Sequence, residues 1–307
     1  MLSFALPHAG ALDEPDGQER MDTVIEGCRS LTAGRPGWQR AAIVAAIVAG
    51  AAYLALLAWI YAYQEVLIFR PDRLPAAHRF VLCDTRDARD VHELSIEVGG
   101  ETLSALHLKL PNPKGVVFFL HGNNGNLSTW FTHTDAYRAA NYDLFMLDYR
   151  GYGKSGGHIE SEAQLRADVL AAWRTVAPQY VGKRVVIYGR SLGTALAAGL
   201  AAQVQPDLTI LVSPYCNVAQ LMQAHYPWLP TGLLRYRLET CSDAGHVHSP
   251  LLLVHGEDDS LIPIQHSEQL LRVAPQARLL RIPGAAHADV HEFSAYTDEL
   301  LRTLESL

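Results

Sequence analysis

Val185-Val186-Ile187-Tyr188-Gly189-Arg190-Ser191-Leu192-Gly193 is the stretch that decides how this chain folds. Its first four residues are a short apolar run, β-branched and aromatic, of the kind that forms a buried strand. An alanine-rich helical pattern, Leu192 to about Gln203, follows at once. The serine therefore sits in Gly-x-Ser-x-Gly on a turn from strand to helix. The two glycines answer a physical need: a strained turn must lift the serine clear while strand and helix backbones approach closely.

Outward from this turn, short apolar runs alternate with longer helical patterns. Strands are expected at Leu94–Val98, Thr102–Leu108, Val116–Leu120, Leu144–Leu147, Arg184–Tyr188, Leu208–Val212, Leu251–Val254 and Arg278–Ile282. The first two read as an antiparallel pair across Gly99-Gly100. Ser161 to about Thr175 reads as a helix opened by the capping pattern of Ser161 and Gln164. Repeated strand, helix, strand order implies an α/β fold, a mostly parallel eight-stranded sheet with helices on both faces. Sites in such sheets form at the carboxyl ends of the strands.

A serine hydroxyl is a weak nucleophile at neutral pH, so it needs a base in reach and a group to hold that base. After Leu251-Leu252-Leu253-Val254 comes His255-Gly256-Glu257-Asp258-Asp259, and after the last strand comes Pro283-Gly284-Ala285-Ala286-His287. The chain order Ser191, Asp259, His287 is the order that accompanies this kind of elbow.

These motifs resemble the α/β-hydrolase superfamily over roughly residues 65 to 307. The resemblance implies an α/β-hydrolase fold with Ser191 as nucleophile, His287 as base and Asp259, in the His-Gly-x-x-Asp pattern, as the acid; Asp258 is the adjacent alternative. It places the oxyanion hole on the backbone NH groups of Asn123 and Leu192, in and opposite the loop His121-Gly122-Asn123-Asn124-Gly125-Asn126, with Asn124 as the other candidate. Asp148-Tyr149-Arg150-Gly151-Tyr152-Gly153-Lys154-Ser155-Gly156, Tyr226-Pro227-Trp228-Leu229-Pro230 and the segment Gln64 to Pro71 are similar to a single-pass, membrane-anchored branch. That branch holds protein depalmitoylases, lysophospholipid lipases and serine-aminopeptidase-like hydrolases. The implied reaction is acyl transfer from an ester or thioester through an acyl-enzyme, with no metal or organic cofactor. Fatty-acyl substrates are expected if a tether keeps the domain near a bilayer. An aminopeptidase-like reading and a non-catalytic membrane scaffold are the alternatives. Dehalogenases and epoxide hydrolases of similar fold carry an aspartate where Ser191 stands.

Other residues have plainer readings. His121 and His255 read as structural, hydrogen-bonded residues. His287 and His291 are four apart like a zinc pair, yet no glutamate follows His287 and a Pro-Gly loop precedes it. His246 and His248 read as solvated. Arg190 either orients substrate or supports the turn. Trp228, Leu229, Leu233 and Leu234 are either a small cap, within residues 214–249, or ordinary packing.

From Ala41 to Tyr63 the chain carries no charge. Roughly 23 residues at 1.5 Å each span the hydrocarbon layer of a bilayer. Trp38, Arg40, Trp59, Tyr61 and Tyr63 sit where interfacial anchors belong. The expected organisation is a tail over 1–37, a transmembrane anchor over 38–64 with membrane contact through 41–63, and a catalytic domain over 65–307. Arg29, Arg35 and Arg40 before the helix nearly balance Arg70 and Arg73 after it, leaning to a non-cytoplasmic domain. A net charge of −7 gives nucleic acid no electrostatic invitation. Cys28, Cys83, Cys216 and Cys241 are too scattered for a disulfide scaffold; Cys216 and Cys241 are either bridged or free buried thiols.

Overall fold

A computed structural model describes residues 34–80 and 87–307. Most of the tail expected over 1–37 lies outside the described residues, as do Cys28, Arg29 and Cys83. The chain divides into two units between Trp59 and Ile60. Helix α1, Gly37–Ala62, accounts for the uncharged run: it is 26 residues long, apolar, and buries none of its side chains. It is long and apolar enough to cross a membrane.

The second unit opens with α2, Gln64–Ile68, and is built on one eight-stranded sheet. Its strands are β1 (Val91–Val98), β2 (Glu101–Leu108), β3 (Gly115–Leu120), β4 (Tyr142–Leu147), β5 (Arg184–Arg190), β6 (Leu208–Val212), β7 (Leu251–Gly256) and β8 (Ala277–Ile282). Their order across the sheet is β8-β7-β6-β5-β3-β4-β2-β1, and only β2 runs against its neighbours. All eight strands expected from the sequence are present, extended by a residue or a few at some ends. The central strands are mostly apolar because both faces are covered, with Asp143, Thr209 and His255 as buried polar exceptions. On β5, Val186 and Tyr188 pack into one core cluster while Ile187 packs into the other.

Helices α3 (Glu162–Val176) and α4 (Gly193–Val204) cover the face that holds Phe118 and Ile187. Ser161 caps α3, its hydroxyl accepting from the Gln164 amide at 3.1 Å. The Gln164 side chain returns to the Glu160 amide, one residue before the cap, at 2.8 Å. Before α3, Arg150 grips Asp168 with Nε and Nη2 at 2.6 and 3.0 Å, and Nη2 also donates to the Val98 carbonyl at 3.0 Å. That buried, bidentate pair fixes the path of the chain leaving β4.

β3 and β5 lie side by side, but the chain leaves them in opposite directions, to β4 and to β6. This is the switch point of the sheet, where a crevice opens at the strand ends. The loop after β3 and the turn after β5 form its two lips.

Residues 214–249 hold the short helix Val218–His225 and are tied by a disulfide between Cys216 and Cys241. The segment packs on α2. Gln64, buried, donates to the Leu233 carbonyl at 2.6 Å and accepts from the Arg235 amide at 2.9 Å. Glu65 accepts from Tyr236 Oη and pairs with Arg235. The folded unit thus begins before residue 65, the boundary the sequence suggested.

Candidate active site

The strand-to-helix turn at Ser191 is assembled by close packing that only glycine permits. A Cβ on Gly193 would fall 2.0 Å from the Leu120 carbonyl oxygen, and one on Gly189 would fall 2.5 Å from that of Gly193. Ser191 itself adopts φ = 52°, the left-handed region that a non-glycine residue enters at a cost and that recurs where a side chain must be presented. Its amide is held by the Val212 carbonyl at 2.9 Å.

Three strand ends bring the expected partners to it. His287 Nε2 stands 3.0 Å from Ser191 Oγ, and His287 Nδ1 stands 2.8 Å from Asp259 Oδ2. The other carboxylate oxygen, Oδ1, accepts from the Leu261 and Ile262 amides at 3.0 and 2.8 Å. Asp259 is buried, whereas Asp258 is exposed, so the geometry separates the two adjacent candidates. Burial alone would raise the Asp259 pKa, but the neighbouring His255 imidazole, the hydrogen bond from His287 and that from the Ile262 amide outweigh it. The carboxyl is held well below the usual carboxylate range.

His255 supports this loop from beneath. Its Nδ1 meets Ser267 Oγ and its Nε2 meets the Ile262 carbonyl, both at 2.7 Å.

The lip after β3 is fixed by three successive carbonyls. The His121 carbonyl accepts from Tyr149 Oη at 2.8 Å, the Gly122 carbonyl from His121 Nδ1 at 2.7 Å, and the Asn123 carbonyl from Tyr152 Oη at 2.7 Å. The Arg70 amide also donates to the Asn123 carbonyl, at 2.8 Å. A peptide is planar and trans, so its C=O and N–H point opposite ways. Fixing the Gly122 carbonyl therefore fixes the direction of the Asn123 N–H. On the other lip, Tyr215 Oη donates to the Leu192 carbonyl at 3.3 Å.

The roles of Tyr149, Tyr152, Arg70 and Tyr215 were not readable in the sequence. The Asp-Tyr-Arg-Gly-Tyr-Gly motif marked the segment, but nothing in it named the carbonyls its hydroxyls would reach. Residues 70–71 pair in parallel with 124–125, so the strip following α2 is hydrogen-bonded along this same lip.

A cavity of about 560 Å³ opens beside Ser191 and His287. Trp130, Arg190, His133 and His291 line one side, with Tyr137, Tyr188 and Tyr296 among the other lining residues. No residue of 214–249 lines it, so that insertion contributes packing rather than wall. Among the described residues no group of three or more His, Cys, Asp and Glu side chains is placed to hold a metal ion.

Comparison with known proteins gives this geometry a lineage. The chain is 32% identical over 281 residues to an uncharacterized protein of Mycobacterium tuberculosis, covering 86% of this chain and 90% of that one. A family model described as serine aminopeptidase, S33, matches residues 111–238. Over 196 residues the chain is 31% identical to human alpha/beta hydrolase domain-containing protein 17B, covering 62% of this chain and 66% of that protein. The chain belongs to the α/β-hydrolase superfamily. The fold of this hydrolase is similar to that of a Pyrococcus furiosus esterase, with a TM-score of 0.61 at 17% identity, covering 78% of this chain and 97% of that one. The matched family segment holds the turn at Ser191 and the loop after β3 but stops before Asp259 and His287.

Proposed function

We propose that this protein is a serine hydrolase that cleaves carboxylic esters or thioesters, fatty-acyl ones foremost, at a membrane surface. The observation that carries this reading is the unbroken relay of Ser191 Oγ, His287 and Asp259 at 3.0 and 2.8 Å beside a cavity. Ser191 Oγ attacks the acyl carbonyl as its proton passes to His287 Nε2. The ionised Asp259 holds the imidazole through Nδ1 and stabilises the imidazolium. The amides of Asn123 and Leu192 receive the oxyanion, and loss of one such donor typically costs roughly 3 to 4 kcal/mol of transition-state stabilisation. The tetrahedral species collapses as His287 gives its proton to the leaving oxygen or sulfur. Water, deprotonated by the same imidazole, then releases the acid.

The membrane part of the reading rests on α1, which at about 1.5 Å per residue is long enough to span the hydrocarbon layer. Only Tyr63 separates α1 from α2, so a spanning helix tethers the hydrolase with no linker. The Cys216–Cys241 bond supports the non-cytoplasmic side, because disulfides persist in oxidising compartments.

The family description keeps amide cleavage as a second reading. A free α-amino terminus would need an acidic partner beside the nucleophile, where the chain places Arg190; the acidic lining residue, Asp135, already has interactions of its own.

The test uses the full chain in detergent. Hydrolysis of p-nitrophenyl esters of increasing chain length is measured beside aminoacyl p-nitroanilides, with fluorophosphonate labelling and Ser191→Ala. Ester turnover and labelling that vanish in Ser191→Ala, with a long-chain optimum, are expected. Absence of labelling on folded wild-type protein overturns the serine-hydrolase reading, and preferential anilide cleavage replaces it with the peptidase.

A further inference from the structure

Arg190 lines the cavity without being ion-paired to a carboxylate among the described residues. Arg190, immediately before the nucleophile, places its guanidinium 5.3 Å from the centre of the Trp130 ring. Its Nη2 donates to the Ala288 carbonyl at 2.7 Å and reaches the His287 carbonyl at 3.5 Å. An arginine has five N–H donors, so the Nε and Nη1 hydrogens remain uncommitted. Among the described residues, no aspartate or glutamate lies within ion-pair distance of it.

Two histidines share this lining. The ring of His291 lies 5.0 Å from that of His133, and His291 Nδ1 is buried without a hydrogen-bond partner. His133 is held at φ = 56°, a backbone conformation that a non-glycine residue adopts at a cost. Burial, Arg190 and His133 together depress the His291 pKa, with Glu292 and Asp289 acting weakly the other way. Asp135 also lines the cavity but has interactions of its own.

A half-buried guanidinium stacked on an indole, with free donors and no carboxylate, is what recognition of a carboxylate or phosphate calls for. A wall built only for a neutral acyl chain has no use for it, since an unpaired charge beside apolar surface is a cost.

We propose that this cavity recognises an anionic group of the substrate, carboxylate or phosphate, held between the Arg190 guanidinium and the His133–His291 pair. The preferred substrates are then acyl esters carrying a negative charge, in the acyl part or in the alcohol. The inference rests on the ester-hydrolase reading above and narrows its substrate class. Arg190 and the two histidines hold the substrate and take no part in bond making.

Matched pairs of substrates test it on the full-length protein. Mono-p-nitrophenyl glutarate against p-nitrophenyl pentanoate reads a charge on the acyl side. A lysophosphatidate against the monoacylglycerol of the same chain reads a charge on the alcohol. In at least one pair the anionic ester is expected to have a kcat/KM at least tenfold higher, carried by KM. Arg190→Gln should lower kcat/KM for that ester tenfold to a hundredfold more than for its neutral partner, with partial rescue by Arg190→Lys. His291→Asn should act in the same direction by a smaller factor.

A second readout does not need turnover. In Ser191→Ala, glutarate or glycerol phosphate should shift the His291 and His133 ring resonances and raise the His291 pKa. Neutral esters cleaved by Ser191 as well as anionic ones, with Arg190→Gln slowing both alike, overturn the anion site and leave the hydrolase standing. If no ester is cleaved, the hydrolase reading falls, and the titration of Ser191→Ala still decides whether the anion binds.

Discussion

The two lips of the crevice are built by different means. On one, Ser191, Asp259 and His287 each stand just beyond a parallel strand, placed by the turn that ends it. Their meeting needs only that β5, β7 and β8 lie in the right order. On the other, the loop after β3 has no such frame. Its carbonyls are held by hydroxyls of Tyr149 and Tyr152 and by the amide of Arg70, which lies more than fifty residues before Asn123. The first lip is held by strand register and the second by borrowed hydrogen bonds. Damage to the first should abolish chemistry, while damage to the second should weaken it in steps.

The largest effect expected is at Asp259. Asp259→Asn should lower kcat on the order of 10³- to 10⁴-fold by disturbing the imidazole's tautomer, while the exposed Asp258→Asn should stay within about twofold. Steady-state kinetics on both variants checks this, and equal losses would break the contrast drawn between the two neighbours.

Next comes the strip after α1. A chain starting at Ile60 should keep its activity in detergent. One starting at Asp72 loses the Arg70 amide and both Gln64 bonds, and should drop on the order of a hundredfold in kcat and unfold at a lower temperature. Equal activity of the two would show that the second lip stands unaided.

Tyr152→Phe removes one hydroxyl from the Asn123 carbonyl and should cost about tenfold in kcat with little change in KM. A loss as great as that of Asp259→Asn would erase the distinction between the lips.

The smallest effect on catalysis is expected at a site away from both lips, where pH acts on stability instead. Burial, with Lys109 and His92 nearby, pushes the His107 pKa down to about 3. The unfolded imidazole binds its proton near 6.5, so below that pH the unfolded state holds one proton more than the native state. Stability should therefore fall by about 1.4 kcal/mol per unit as pH drops from 6.5 toward 3. Denaturant titrations at pH 7, 6 and 5 would show the slope, and His107→Phe should flatten it.

Much of this was legible in the sequence for a definable reason. The eight strands and the elbow announce themselves through apolar runs and glycines that lie next to one another in the chain. Asp259 and His287 could be placed because each follows a strand that could be recognised. Tyr149 and Tyr152 could be seen as a motif but not as supports, since a hydroxyl's partner depends on how two loops approach. Gln64 reads as the first polar residue after an apolar run, yet it is buried by bonds to residues some 170 positions away. The bridge between Cys216 and Cys241 was one of two open readings, because spacing alone says nothing of how the ends of an insertion meet. The positive side of the cavity was hidden for the same reason: Arg190, His133 and His291 come from three distant parts of the chain.

The contact between Gly193 and Leu120 bears on how this enzyme can diversify. Strand β3 and helix α4 pack so tightly here that a single methyl group has no room, which fixes the spacing between the turn at Ser191 and the loop after β3. Substitutions there cannot tune the spacing of the reacting groups without breaking the elbow. New selectivity has to arise across the cavity, at His133 and His291, where side chains can be exchanged with neither the turn at Ser191 nor the loop after β3 disturbed.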